Sequence, residues 1–276
     1  MSLLTASLNS GSNGNCYYIA NEKEAILIDA GISCRETERR MSKLGLSMQK
    51  IKAIFISHEH IDHIRGVRVL AKKYSLPVYI TSSTLRYSKL ILEAELINTF
   101  TAYEPVNIGQ LEITAFPKKH DASDPHSFII SGNGVKIGVF TDIGASCKHV
   151  IKNFNLCNAA FLETNYDTEM LEKGNYPYHL KRRISGEKGH LSNQQALAIF
   201  LAHKPKFMSH LFLSHLSKDN NCPELARRLF IKNTKKVHVV VASRYIETAV
   251  YRILKGPLTD SKKNDNPLPP SQLSLF

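Results

Sequence analysis

The stretch from Phe55 to Gly66, FISHEHIDHIRG, constrains this chain more than any other. His58, His60, Asp62 and His63 spell H-x-H-x-D-H directly behind an apolar run, Ala53–Ser57. Packing gives no reason to gather three imidazoles and a carboxylate at a strand end, because each would need its own buried partner. Neutral imidazole and carboxylate suit zinc, manganese or iron. In a turn after a strand, His58 and His60 can converge on one ion. Asp62 and His63, at the start of the next helix, can serve a second. The competing explanation is a polar helix start with Asp62 beside the helix dipole.

Two ions need more ligands than these four, and the others should also stand at strand ends. His120 follows the run Leu111–Phe116, Asp142 follows Val135–Thr141, and His215 follows Leu211–Ser214. Each alone reads as a turn residue. Beside H-x-H-x-D-H, all three become candidate ligands.

Short apolar or β-branched runs predict strands at Leu3–Leu8, Cys16–Ala20, Ala25–Ile28, Ala53–Ser57, Val78–Thr81, Leu111–Phe116, Phe128–Ile130, Val135–Thr141, Ala159–Leu162, Leu211–Ser214 and Val237–Ala242. Helical patterns fall at Ile64–Lys73, Leu85–Leu96, Asn193–His203 and Pro223–Thr234. An early antiparallel-looking cluster of strands gives way to strands alternating with helices. That order predicts an α/β fold with helices covering sheets in layers. Gly11 and Gly14, in NSGSNGN, suit a tight turn between two strands, with Asn13 or Asn15 near the site as the other reading.

The globular pattern spans residues 1–255. Residues 256–271 carry four prolines and few apolar side chains, which predicts a disordered linker. An apolar tag follows: Gln272, Leu273, Ser274, Leu275 and Phe276. The formal charge of +12 favours polyanionic partners, nucleic acid before membrane surface. No run of 18 apolar residues is present, so no membrane span is expected. An N-terminus without a signal core, and five cysteines without a CxxC pair, predict a cytoplasmic protein with free thiols.

The order H-x-H-x-D-H, later His120, later Asp142, later His215, resembles that of metallo-β-lactamase-fold hydrolases. The early LIDAG, ending Asp29-Ala30-Gly31, matches as well. The resemblance covers nearly all of residues 1–255. It implies a four-layer αβ/βα sandwich with two divalent metal ions, zinc or manganese, at one edge. On the family pattern His58, His60 and His120 hold one ion, Asp62, His63 and His215 hold the other, and Asp142 bridges them. Three further stretches, SLNSGSNGNCYYI, FLETNYDTEMLEKGNYPYHLKRRISGEKGHLSN and LSHLSKDNNCPELA, are similar to the YycJ/WalJ group. That group is regarded as metal-dependent 5′-to-3′ DNA exonucleases of mismatch repair. GHLSN also looks related to a stretch of tRNase Z enzymes whose histidine serves phosphodiester cleavage. The 73 positions from Asp142 to His215 leave no room for an inserted β-CASP domain.

These resemblances imply a phosphodiesterase in which two ions activate a bridging water. Asp62 would orient or deprotonate that water, and His190 would contact the phosphate or protonate the leaving oxygen. The plainer reading of His190 is a residue beside the helix cap at Ser192 or Asn193. Lys181, Arg182, Arg183 and Lys188 suit phosphates, and Tyr166, Tyr176 and Tyr178 could stack on bases; a solvated basic loop with packing tyrosines is the alternative. Other readings of the whole chain are a tRNase-like or thioester hydrolase of the same fold, and a regulatory protein with a vestigial site. QLSLF resembles the pentapeptide by which bacterial replication and repair proteins bind the sliding clamp, which would station the enzyme at the nucleoid.

Overall fold

The computed structural model describes residues 2–256. The linker beyond Gly256 and the tag from Gln272 to Phe276 lie outside the described residues. In chain order the first strands are β1 (Ser2–Asn9), β2 (Cys16–Ala20), β3 (Ala25–Ile28), β4 (Ile51–Phe55), β5 (Val78–Tyr79) and β6 (Ile97–Asn98). Then come β7 (Pro105–Ile108), β8 (Leu111–Pro117), β9 (His126–Gly132), β10 (Val135–Phe140), β11 (Ala159–Glu163), β12 (His210–Ser214), β13 (His238–Val241) and β14 (Tyr251–Leu254). The helices are α1 (Cys34–Lys43), α2 (Ile61–Ile64), α3 (Val67–Tyr74), α4 (Ser82–Ser88), α5 (Lys148–Phe154), α6 (Thr168–Lys173), α7 (Tyr178–Ser185), α8 (Asn193–His203) and α9 (Pro223–Lys232).

The strands form two seven-stranded sheets, ordered β14-β1-β2-β3-β4-β5-β6 and β13-β12-β11-β10-β9-β8-β7. Each sheet is antiparallel on one flank and parallel on the other. The switch falls at β3 in the first and at β10 in the second. Strand periodicity sends alternate side chains to opposite faces, and both faces are apolar. In β2, Tyr17 and Ile19 join Phe55, Phe128 and Phe161 between the sheets. Their neighbours Tyr18 and Ala20 pack outward with Met41 of α1 and Leu70 of α3. On the far side Phe140 meets Phe154 of α5, Phe200 of α8 and Phe230 of α9. Each such fully buried ring contributes about 1.5–3 kcal/mol. The result is the αβ/βα sandwich of the metallo-β-lactamase fold.

Two local expectations give way to specific contacts. The predicted helix Ile64–Lys73 is two helices, because Gly66 donates its N–H to Ala30 O at 2.8 Å. A Cβ there would stand 2.0 Å from Ile32 O, so only glycine permits this docking. The predicted helix Leu85–Leu96 begins earlier and stops at Ser88. Thr81 caps its start by accepting from Thr84 N, and Ser88 Oγ accepts from Leu90 N beyond the left-handed Lys89. Strands β6, β7 and β14 are not among the predicted ones: all three are short, and β7 alternates with exposed residues.

Register positions the site. Phe140 pairs with Leu162, and Leu162 with Leu213, so the residues that follow emerge together at one sheet edge. Those residues are Asp142, Glu163 and His215. In the first sheet Ile28 pairs with Phe55, which sets Asp29 beside Ser57.

Candidate metal centre

Asp29, Asp142 and His215 each follow a strand, and each has a left-handed backbone, at φ 60°, 54° and 56°. For non-glycine residues this conformation costs roughly 1–3 kcal/mol each. At all three positions it turns the chain at the shared sheet edges.

Four overlapping groups of ligand atoms meet there, and two of them match the expected triads. His58, His60 and His120 form one, and Asp62, His63 and His215 form the other. His58 Nε2 lies 3.1 Å from His60 Nδ1, and His120 Nε2 lies 3.4 Å from the same atom. In the second group Asp62 Oδ2 stands 3.7 Å from His63 Nε2 and 3.5 Å from His215 Nε2. Asp142 lies between the groups: its Oδ2 is 3.1 Å from His63 Nε2, and its Oδ1 is 3.3 Å from His215 Nδ1 and 3.8 Å from His120 Nε2.

The outer partners set which ring nitrogen points inward. His120 Nδ1–H donates to Gly189 O at 3.0 Å, and His63 Nδ1–H to Asp29 Oδ2 at 2.7 Å. His215 Nδ1–H donates to Glu163 Oε1 at 3.0 Å. Ser57 Oγ–H donates to Asp29 Oδ2, leaving its oxygen to accept from His58 Nδ1–H at 2.8 Å. Each of these four rings therefore turns Nε2 toward the centre.

Electrostatics divides the centre into two kinds of group. Burial, with the His63 charge beside it, pushes His58 well below the usual imidazole range. Burial also lowers His60 and His120, so this trio is neutral, the form that ligates. Around His63 burial is overcome by Asp142, Asp29 and Asp62, which bring it up to about 10. His215 is raised in the same sense, and the charges of His215 and His63 hold Asp142 well below the carboxylate range despite its burial. A field that strong in favour of protons favours a divalent cation equally. Asp142 Oδ2 and His215 Nε2 are buried without a hydrogen bond among the described residues. Two buried polar atoms aimed into a carboxylate-rich centre fit metal ligation.

The surface of the centre is a pocket of about 300 Å³ lined by Ser12, His60, Ile61, Asp62, Arg183, His190 and the deeper ligand candidates. His190 Nδ1–H donates to Glu163 Oε1 at 2.7 Å. Sequence reading passed over Glu163, a fully buried carboxylate at the end of β11 that also accepts from Ile143 N and Leu191 N. Burial opposes its charge, and the His190 charge with hydrogen bonds from His190 and His215 outweighs burial. The available signal was a charged residue closing the apolar run AAFLE. Asn15 was one of two readings for its turn; its Nδ2 lies 3.3 Å from Asp62 Oδ2 and 3.1 Å from His63 Nε2. Gly31 lets this turn close, since a Cβ there would stand 1.6 Å from Asp62 O.

Lys181, Arg182 and Arg183 lie on α7 and Lys188 in the turn after it, and the cluster divides. Only Arg183 reaches the pocket, where its Nε donates to Asp121 Oδ2 at 2.5 Å. Lys181 Nζ donates to Glu172 O, Arg182 lies 5.9 Å from the Tyr178 ring, and Lys188 is exposed. Tyr166 is buried and offers no face, Tyr176 donates to Asp219 Oδ2, and Tyr178 is 75% exposed. No helix among the described residues is long and apolar enough to cross a membrane.

Comparison with known proteins agrees with this geometry. Residues 24–215 match the Beta-lactamase superfamily domain. Exodeoxyribonuclease YycJ of Bacillus anthracis is 36% identical over 233 residues, 82% of this chain and 87% of that protein. Exodeoxyribonuclease WalJ of Streptococcus pneumoniae is 31% identical over 229 residues, 81% of this chain and 85% of its own length. The metallo-β-lactamase fold protein YhfI from Bacillus subtilis superposes with a TM-score of 0.70 at 15% identity, covering 91% of this chain and 100% of that one. Its likeness is one of fold. By family match and by identity across most of its length, the chain belongs to the beta-lactamase superfamily and, within it, to the YycJ/WalJ group of metal-dependent hydrolases.

Proposed function

We propose that the chain is a dinuclear-metal phosphodiesterase that removes nucleotides from the 5′ end of DNA and serves DNA repair, mismatch repair in particular. The observation that carries this reading is the pair of ligand triads joined at Asp142, with a Glu163-held His190 on their open side. The relatives named exodeoxyribonuclease supply the substrate class. Zinc or manganese ions, held by the two triads and Asp142, would acidify a water and neutralise charge on the phosphodiester.

The chain's own residues do the rest. Asp62, fixed by Asn15 Nδ2, orients the attacking water and takes its proton. His190 keeps its Nδ1 proton on Glu163, so Nε2 is the atom left to protonate the departing oxygen. The buried, charged Glu163 stabilises the imidazolium that must precede that transfer. Arg183 can leave Asp121 for a phosphate at small cost, because such a surface pair is worth only about 0–1 kcal/mol. Lys181, Arg182 and Lys188 draw the strand in from a distance, an attraction that weakens with salt.

The decisive experiment offers metal-loaded protein 5′-phosphorylated DNA, RNA of the same sequence, and a thioester. Digestion of DNA from the 5′ end is expected, with kcat down about a hundredfold in His190→Ala at unchanged metal content. Turnover of RNA or thioester alone would refute the assignment, and wild-type turnover by His190→Ala would remove that residue's role. The proposal extends to Gln272–Phe276 as a sliding-clamp anchor that stations the cytoplasmic enzyme at the nucleoid. Deleting residues 272–276 should abolish clamp pull-down while free DNA is still digested; equal pull-down would disprove the anchor.

A further inference from the structure

Beside the ligand pocket a second cavity, of about 270 Å³, opens between the ends of β12 and β13. Ser217, Lys218, Asn221, Ser243, Arg244 and Tyr245 line it. Only the turn from Ser10 to Asn13 separates the two. Ser12 lines the ligand pocket, while a Cβ on Gly11 would stand 3.2 Å from Arg244 Cβ and 3.4 Å from Leu216 O. Ser217 comes two Cα steps after His215, so it lies within roughly 8 Å of the last ligand candidate. One nucleotide can bridge that interval.

The frame of this cavity is held rigid by hydrogen bonds, in which the side chains of Ser217, Asn221 and Ser243 take part, while one guanidinium atom is left unsatisfied. Ser10 N–H donates to Ser243 O at 3.1 Å, Asn13 Nδ2 to Arg244 O at 2.8 Å, and Arg40 Nη2 to Tyr245 O at 3.0 Å. Arg244 Nη1, by contrast, is buried with no hydrogen-bond partner among the described residues. Its guanidinium sits 5.9 Å from the Tyr245 ring, and Tyr245 is 65% exposed. Lys218 is exposed at the rim. The nearby carboxylate of Asp219 already accepts from Tyr176 OH at 2.9 Å.

A buried guanidinium N–H without an acceptor is unfavourable, and phosphate oxygens match the guanidinium fork best. An exposed tyrosine face beside it suits a base. The cavity is smaller than most small-molecule pockets, the size of a single nucleotide unit and no more. Resting on the nuclease reading above, we propose that this cavity is a nucleotide subsite that holds a phosphate on Arg244 and Lys218 and stacks the base on Tyr245. A strand end seated here would be measured one nucleotide from the cut, which is what distinguishes cutting at an end from cutting anywhere. The phosphate is either the 5′-terminal one or an internal one.

The test is fluorescence anisotropy on the metal-loaded full chain. The probes are phosphorothioate-linked hexadeoxynucleotides, which resist cleavage, with either a 5′-phosphate or a 5′-hydroxyl. Arg244→Ala should weaken binding of the phosphorylated strand at least tenfold, Tyr245→Ala about fivefold, and Arg244→Lys should restore part of the loss. A loss confined to the phosphorylated strand assigns the subsite to the terminal phosphate; an equal loss on both assigns it to an internal one. Tyr245 is exposed, so its variant tests the subsite even if Arg244→Ala folds poorly. Wild-type affinity for both strands in Arg244→Ala and Tyr245→Ala would overturn the subsite and leave the nuclease reading standing. Failure of the wild-type protein to bind either strand would sink both.

Discussion

The two sheets meet at one centre but furnish it differently. The first supplies His58, His60, Asp62 and His63 from a single turn after β4, backed by Asp29 after β3. The second supplies His120, Asp142, His190 and His215 from four separate connections, and Glu163 from the end of β11, spread over its parallel and antiparallel strands. A compact motif can be built by local turn geometry. A dispersed set exists only when the parallel register of β10, β11 and β12 is correct. The first half is thus assembled by the chain's neighbours, and the second by the fold.

The sharpest way to break this contrast is Asp142→Asn. Asp142 lies within 4 Å of rings in both triads, so its loss should act on both. We expect the metal content, read by mass spectrometry, to fall from two ions toward one or none, and kcat/KM on DNA to fall about a thousandfold, roughly 4 kcal/mol. Retention of two ions would show that each triad holds its ion without Asp142. Next comes Glu163→Gln, which keeps shape and removes charge behind His190 and His215. Metal affinity should weaken about tenfold to a hundredfold by competition with a chelator. A change in kcat with unaltered metal affinity would make Glu163 a partner of His190 alone.

In the first sheet Gly31→Ala probes the tight turn. Its Cβ would press on Asp62 O at 1.6 Å, and overpacking of this kind costs about 1–3 kcal/mol. Thermal melting should fall by several degrees, with the ligand turn loosened; an unchanged melting temperature would mean that the turn yields without strain. The smallest effect concerns His210, away from the centre in β12. Burial lowers it to about 3 while it stacks near Phe212 and Tyr251. The unfolded chain takes up this proton near pH 6.5 and the folded chain does not, so stability falls as pH drops through the interval from 6.5 toward 3, by up to about 1.4 kcal/mol per unit. His210→Asn should flatten that slope in melting curves recorded from pH 7 to 5. An identical slope would place the acid sensitivity in other groups.

The same contrast explains what could be read before the structure. H-x-H-x-D-H announced itself because its residues are consecutive. His120, Asp142 and His215 were found only because apolar runs end just before them. Glu163 closes the apolar run AAFL in the same way, but a carboxylate there gains its meaning only from hydrogen bonds to His190 and His215, 27 and 52 residues away. The strands of the core were readable from their apolar runs, while β7 is a short edge strand with alternate residues exposed and β14 depends on β1, distant in sequence. Asn15 remained one of two choices, since its tie to Asp62 spans 47 residues.

Strand β14 carries one more consequence. Ser2 pairs with Leu254, and Ser7 N–H donates to Thr248 Oγ1, so the start of the chain is completed by its far end. During synthesis β1 must wait for almost the whole domain, roughly 12–50 s at 5–20 residues per second. Through that time its outer edge stays unpaired, the kind of edge that invites pairing with another chain. The turn at Ser10, which accepts from His215 N and donates to Ser243 O, waits as well. A ribosome-bound fragment that stops short of β14 therefore holds the complete HEHIDH stretch while the strand leading into the Ser10 turn still lacks its outer partner.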